Sequence, residues 1–418
     1  MSAATASASA SASSGSRYLP FNPDDPVWAD IQPTYQHESA NPLCPIMYKP
    51  EYSAAMDLYR SLVSGSTVTP AGPRTHPFEL SARALALTEH LVRLNPSHYS
   101  IWQYRAKILI EGSPYDGDDD GDEDGSDDDK RKRILRRELE FLDLLAHENM
   151  KSYQVWQHRR LIVSALGDPS LELAFIADNL ARDSKNYHTW AYRQWVLAHF
   201  GGLGSASASA ATSPGAAGPG AGAFPQLWDG ELDYAEKLLV EDVRNNSAWN
   251  HRWFCIFGRR GARPHDADAA AQWESELIKL VKAEIGFTKA QIALAPNNAS
   301  AWNYLRGIHI ASPVRTPLSD SLSFAKSLIS TPFEAQRDPT VDQFGRSPPQ
   351  AIEWCLDCIE ERLQAGRAAG GAAVDAGERE RAVDEAEKLV TRLCTADPMR
   401  KRYWGYRLQS IRRTAKGA

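Results

Sequence analysis

Apolar residues along the chain recur with the period of a helix surface. Leu80, Ala84, Leu87, Leu91 and Leu94 fall at i, i+4, i+7, i+11 and i+14. Leu173, Ile176, Ala177 and Leu180 fall at i, i+3, i+4 and i+7, and Val383, Ala386, Val390 and Leu393 keep the same spacing. Each set marks an amphipathic helix with one face to bury. Asn95-Pro96 and Asp397-Pro398 predict helix ends. Asp168-Pro169 predicts an N-cap followed by proline at the first helical position. Alternation of period two, the mark of a half-buried strand, is absent from the sequence.

A second pattern follows these helices. Trp102, Trp156, Trp190, Trp249, Trp302 and Trp404 are each followed two residues later by Tyr or His, and five of the six have Arg directly after that. The fifth copy, Trp302-Asn303-Tyr304-Leu305, carries Leu in the arginine slot and Arg306 one place late. Six tryptophans in one register are an internal repeat. The clearest spacing is 34 residues, from Trp156 to Trp190, and the longer intervals contain low-complexity insertions. The long interval from Trp302 to Trp404 has room for one or two degenerate units. The expected fold is all-α: a right-handed superhelix, or solenoid, of stacked helical hairpins, crescent-shaped, with each Trp filling the wedge between hairpins. Residues 76–418 hold the repeats, 18–75 form an N-terminal extension, and 1–17 form a disordered Ala/Ser-rich tail. Insertions near 112–130, 201–225 and 366–377 are too poor in apolar residues to order themselves and are expected to loop outward.

Composition narrows the class. Of the 418 residues, ten carboxylates lie between Asp116 and Asp129, and without them the formal charge moves from −6 to +4. That balance lacks the footprint of a nucleic-acid binder. The five cysteines are scattered and odd in number, which predicts reduced thiols and a cytoplasmic protein. No apolar run approaches the ~20 residues of a membrane helix, so no membrane insertion is expected. The start lacks the charged and apolar regions of a signal peptide.

Candidate chemistry concentrates before each Trp. Tyr99, Tyr153 and Tyr187 stand three residues before it in the first three copies, and Ser97, Lys151, Lys185 and Arg244 stand five before it in the first four. These positions open the second helix of each hairpin, where free N–H groups and the helix dipole favour an anion. Periodicity alone leaves two readings open: a phosphate or carboxylate site, or tyrosines that cap their own turns beside solvated lysines. The Cys355-Leu356-Asp357-Cys358 spacing has no second pair at metal distance and reads as two small residues on one helix face. The Asp118-Asp119-Asp120-Gly121-Asp122 run is broken by glycine, and Lys130-Arg131-Lys132-Arg133 is expected to neutralise the acidic tract and open the next helix. No cluster of His and Cys at ligand spacing is visible, so no metal site is expected on this chain.

Several motifs together resemble one family. Trp28-Ala29-Asp30-Ile31, Lys151-Ser152-Tyr153-Gln154-Val155-Trp156, Asp168-Pro169-Ser170, Asn186-Tyr187-His188, Glu241-Asp242-Val243-Arg244-Asn245-Asn246-Ser247 and Ser300-Ala301-Trp302-Asn303-Tyr304-Leu305 are similar to the α subunit shared by protein farnesyltransferase and type I geranylgeranyltransferase. The resemblance implies a crescent that wraps around a β subunit carrying the catalytic Zn²⁺, with Mg²⁺ accompanying the prenyl diphosphate in farnesyl transfer. The acceptor is the cysteine of a C-terminal CaaX box on proteins such as small GTPases. By the same resemblance Lys151 and Tyr187 are catalytic, contacting the diphosphate as it leaves, with Tyr153 beside them. Gln154 would bind the peptide carboxylate, and Asn186 and His188 would complete the substrate-binding edge. The chain departs from the family at Ser152, where Asn is common, and in its three insertions. Two alternatives are the α subunit of the Rab geranylgeranyltransferase, expected to lack the Trp-Ala-Asp-Ile and Lys-x-Tyr-Gln segments in this form, and a tetratricopeptide-type adaptor without catalysis.

Overall fold

A computed structural model of the protein describes residues 21–36, 41–64, 78–112, 126–203, 220–260, 263–329, 347–368 and 376–416. The 1–17 tail and the centres of the three insertions (113–125, 204–219 and 369–375) lie outside the described residues. Among the described residues the regular structure is helical. The chain divides into two compact units, one of Met1–Gly202 with Ala210–Leu227 and the other of Leu203–Ser209 with Trp228–Ala418.

The first unit begins with α1 (Pro50–Ser64), which packs on α2 (Ala82–Leu94). Helix α2 pairs with α3 (Tyr99–Glu111), α4 (Asp127–Glu148) with α5 (Tyr153–Leu166), and α6 (Glu172–Arg182) with α7 (Tyr187–Phe200). The second helices stack in order, with α5 between α3 and α7. Trp28 and Ile31 are buried, and Arg83 of α2 ties this segment down through Asp30 (2.9 Å) and Glu79 (2.6 Å).

In the second unit α8 (Glu231–Glu241) pairs with α9 (Asn246–Trp253), and α10 (Ala267–Leu294) with α11 (Ala299–Ala311). Two more pairs follow: α12 (Leu322–Ser327) with α13 (Pro349–Ala368), and α14 (Ala376–Ala396) with α15 (Lys401–Ala415). The interval from Trp302 to Trp404 thus hides one whole hairpin. Its anchor is Trp354, fully buried on α13, which the sequence pattern misses because Leu356 and Asp357 stand at its +2 and +3 positions.

The expected helix faces point inward except at Leu94, and one expected helix start falls elsewhere. Ala84, Leu87 and Leu91 are buried, but Leu94 ends α2 and is 39% exposed. Asp168-Pro169 does not open α6: Gly167 ends α5 at φ 71°, Asp168 caps the N–H of Ser170, and the helix starts at Glu172. Asn95 and Asp397 do follow the last residues of α2 and α14. The acidic tract ends as the first turn of α4, capped by Ser126, and Lys132 pairs with Asp128 at 2.6 Å. The 201–225 insertion is ordered at its end, where Phe224 donates its N–H to the Phe200 carbonyl at 2.9 Å.

Five of the Trp anchors share one contact. Each indole Nε1 of Trp102, Trp156, Trp190, Trp249 and Trp302 donates to the backbone carbonyl six residues earlier, at 2.8–2.9 Å. Trp404 is fully buried, yet its Nε1 has no hydrogen-bond partner among the described residues. The residues at +2 and +3 complete the unit through an acid the sequence reading does not single out, a Glu eighteen residues before the Trp. Arg105 holds Glu138 at 2.8 and 2.6 Å, and His158 of the next hairpin holds the same carboxylate at 2.9 Å. Glu172 is shared in the same way by Arg159 (2.8 and 2.9 Å) and Tyr192 (2.7 Å). Glu284 is shared by Arg252 (2.9 and 2.6 Å) and Tyr304 (2.9 Å). Every such carboxylate is buried, so each arginine fixes the register between one hairpin and the next. In the fifth copy Leu305 is buried in the core, and the displaced Arg306 pairs instead with Asp357, which Arg407 also holds at 2.8 Å.

Candidate functional site

The sequence-predicted edge lies in the first unit, at the N-termini of α3, α5 and α7. Tyr99, Tyr153 and Tyr187 are the first residues of these helices and are 73%, 68% and 70% exposed. They do not cap their own turns. The Ser152 hydroxyl accepts the N–H of Val155, and the Asn186 side-chain Oδ1 accepts the N–H of Thr189 at 3.1 Å. The tyrosines therefore stay on the surface and take no part in closing the helices.

His188 joins two of them. Its imidazole meets the Tyr153 ring edge to face, with centroids 4.3 Å apart and planes at 90°, and lies 5.5 Å from the Tyr187 ring at 80°. This three-ring cluster spans two consecutive hairpins. Partial burial lowers the imidazole pKa, which favours the neutral ring near pH 7. Lys151 is exposed in the turn just before α5, and Lys185 occupies the equivalent place before α7. Lys151, Tyr153 and Tyr187 thus all lie exposed at the starts of two neighbouring helices. That set can bind the oxygens of a phosphate or carboxylate.

Gln154 and Asn186 are placed differently. Gln154 is half-buried, 3.3 Å from the Ser152 hydroxyl, and lines a groove of about 290 Å³ with Tyr99, Trp102, Gln103 and Lys107. Asn186 is buried, and its amide donates to the Met150 carbonyl (3.3 Å) and to Asp183 (3.4 Å). The Met150 carbonyl is the one that also receives the Trp156 indole, so Asn186 ties α7 to the preceding hairpin and offers no free group to the edge. Asn298 makes the same bond to the Val243 carbonyl at 2.6 Å. Ser152, in the corresponding place, reaches the Pro96 carbonyl only at 3.5 Å. Of the residues expected on the edge, Tyr153, His188 and Tyr187 come together, Lys151 is exposed in the turn before α5, Gln154 faces the neighbouring groove, and Asn186 supports from below. Tyr99 belongs beside Gln154, and its place in the Tyr register was the signal for it.

The chain matches the protein prenyltransferase alpha subunit repeat at residues 81–111, 135–166, 169–200, 228–258 and 281–309. It is 33% identical over 285 residues to the protein farnesyltransferase/geranylgeranyltransferase type-1 subunit alpha of Pisum sativum, covering 68% of this chain and 65% of that protein. The corresponding subunit of Solanum lycopersicum is 29% identical over 398 residues, 94% of this chain and 92% of that one. The geranylgeranyl transferase type-2 subunit alpha of Rattus norvegicus is 26% identical, over 54% of this chain and 34% of its own length. Among solved structures, Candida albicans protein geranylgeranyltransferase-I complexed with GGPP superposes with a TM-score of 0.60 at 23% identity, covering 92% of this chain and 98% of that one.

Proposed function

Because the chain belongs to the protein prenyltransferase alpha subunit repeat family, we propose that it is the α subunit of a heterodimeric protein prenyltransferase, serving farnesyl or type I geranylgeranyl transfer to CaaX cysteines. The observation that carries this reading is the exposed Lys151, Tyr153, His188 and Tyr187 edge at the N-termini of α5 and α7. The partner is a β subunit. The type-1 relatives match over more of the chain than the type-2 relative does, which favours this reading over a Rab-directed enzyme.

The edge explains part of the reaction. When a thiolate displaces diphosphate from the prenyl C1, negative charge grows on the oxygen of the breaking C–O bond. The Lys151 ammonium and the Tyr187 hydroxyl would meet that charge as it forms, without reorganising. Tyr153 would act beside them, held by His188, and Gln154 would receive the peptide carboxylate from its groove. Phenols and an ammonium suit diphosphate oxygens and are not a donor set for Zn²⁺. The zinc is therefore assigned to the β subunit, where it would stabilise the substrate thiolate when bound. Mg²⁺ is assigned to the diphosphate itself. The test is single-turnover transfer by the heterodimer carrying Lys151→Ala. The chemical step should slow by about tenfold to a thousandfold, while prenyl diphosphate binding changes little. An unchanged single-turnover rate would remove Lys151 from the mechanism.

A further inference from the structure

The fourth repeat breaks a pattern that four other Trp repeats keep. Six residues after the Trp anchor stand Ile108, Ile162, Val196 and Ile308, all fully buried. In the fourth repeat the same place holds Cys255. The backbone changes there too: α9 gives way at Phe254 to a π turn, Phe254–Gly258, in which the N–H of Arg259 reaches the Phe254 carbonyl at 2.9 Å. Single π turns inside helices recur at functional sites. Across from it, the +2 position is His251, and the acid eighteen residues before the Trp is Glu231.

We propose that Glu231, His251 and Cys255 form a transition-metal site, with Zn²⁺ as its natural ion. The three ligand atoms lie within 4.8 Å of one another. His251 Nε2 is 2.8 Å from Glu231 Oε2 and 3.5 Å from Cys255 Sγ. Zn–S and Zn–N bonds of about 2.3 and 2.05 Å at a tetrahedral angle put sulfur and nitrogen about 3.6 Å apart. The Cys–His separation is already that of a ligand pair. Nitrogen and oxygen ligands sit about 3.4 Å apart by the same geometry, so the Glu–His pair, now at 2.8 Å, must open by about 0.6 Å. Imidazole, carboxylate and thiolate together favour zinc over the hard cations. Glu231 and His251 are buried, and Cys255 is at least half-buried beside them. On binding, the Cys255 thiol gives its proton to solvent.

The chain contains its own control. Glu138 and His158 repeat the carboxylate–imidazole pair at 2.9 Å, but Ile162 fills the cysteine position, leaving two ligands instead of three. A Glu–His pair alone is thus part of the common hairpin lock, and the third ligand is what turns one copy into a metal site. Glu231 and Cys255 are 24 residues apart and meet only when α8 and α9 pair.

Co²⁺ serves as a spectroscopic probe. It is titrated into the metal-stripped full-length chain, alone or with its proposed β partner, and the absorption is compared with that of two variants. Cys255→Val installs a residue type the other repeats use, and His251→Tyr installs the Tyr found at +2 in four of them. Both should retain the wild-type circular dichroism. The wild type should show a thiolate-to-cobalt charge-transfer band and bind one ion more than either variant. The band should vanish in both variants and survive in Cys44→Ser. A spectrum without thiolate character, or a band that persists in Cys255→Val, would overturn the site. Zinc on a β partner does not confuse the result, because only the difference between wild type and variant is read. The outcome is also independent of the prenyl-transfer reading.

Discussion

Replacing Glu138 by Gln isolates what the buried carboxylates contribute. Glu138 is 3% exposed and receives two bonds from Arg105 and one from His158. Burial alone would raise its pKa, but the Arg105 charge and the His158 bond outweigh that and hold it at about 2, against an ordinary 4.5. A depression of that size corresponds to about 3 kcal/mol. Removing the charge also leaves Arg105 buried, its next carboxylate, Glu89, being 3.9 Å away. Breaking one side of a buried pair costs about 3–5 kcal/mol. Both routes give the same answer, so Glu138→Gln should lower stability by about 3 kcal/mol at pH 7. The sign follows from the lowered pKa. The contribution is complete above the ordinary value of 4.5 and is lost as pH falls toward about 2. Urea unfolding at pH 7, 4.5 and 3 should show the gap between wild type and Glu138→Gln narrowing across that range. Equal midpoints at pH 7, or a gap that does not change with pH, would refute the view that this carboxylate is charged and locks two hairpins together.

Other consequences follow from the same architecture. Ser152→Asn should add about 0.5–1.5 kcal/mol, because Asn in this place makes the bond to the preceding hairpin that Ser152 reaches only at 3.5 Å; an unchanged or lower thermal midpoint would contradict it. Trp302→Phe should lose about 1–3 kcal/mol more than Trp404→Phe, since only Trp302 donates its indole N–H, to the Pro296 carbonyl; equal losses in paired urea titrations would discount that bond. Burial raises the Cys355 thiol to about 11 and the Cys358 thiol to about 12. Thiol-specific reagent at pH 8 should therefore modify exposed Cys44 first and leave these two nearly untouched in the native protein; rapid reaction at Cys355 or Cys358 would contradict their burial. Removing residues 204–219 should preserve assembly and activity, whereas a deletion reaching residue 225 also takes Phe224, which bonds to Phe200, and should destabilise the first unit.

The hairpin repeat was legible because Trp is scarce and its register is fixed by short-range helix geometry. The edge was legible in part, since Tyr153, Tyr187 and Lys151 stand at fixed offsets from that Trp. What the offsets could not show was direction. Asn186 and Tyr187 are neighbours in sequence, yet a helix start turns Asn186 inward to the Met150 carbonyl and Tyr187 outward to solvent. The Arg–Glu ladder was hidden because its acid lies on another helix, even though Glu138, Glu172, Glu231 and Glu284 keep one spacing from their tryptophans. Trp354 was hidden for the opposite reason: it keeps the packing role but drops the neighbouring pattern. Asp168-Pro169 misled because a local turn took the carboxylate that a helix cap would have used.

The most direct test of the account is to purify the chain natively, measure the mass of its complex, and assay that complex for prenyl transfer to a CaaX peptide. The account predicts a 1:1 heterodimer with a zinc-containing second chain that transfers the prenyl group, with Lys151→Ala assembling normally but turning over slowly. A monomer, or a complex that assembles without prenyl transfer, would contradict it.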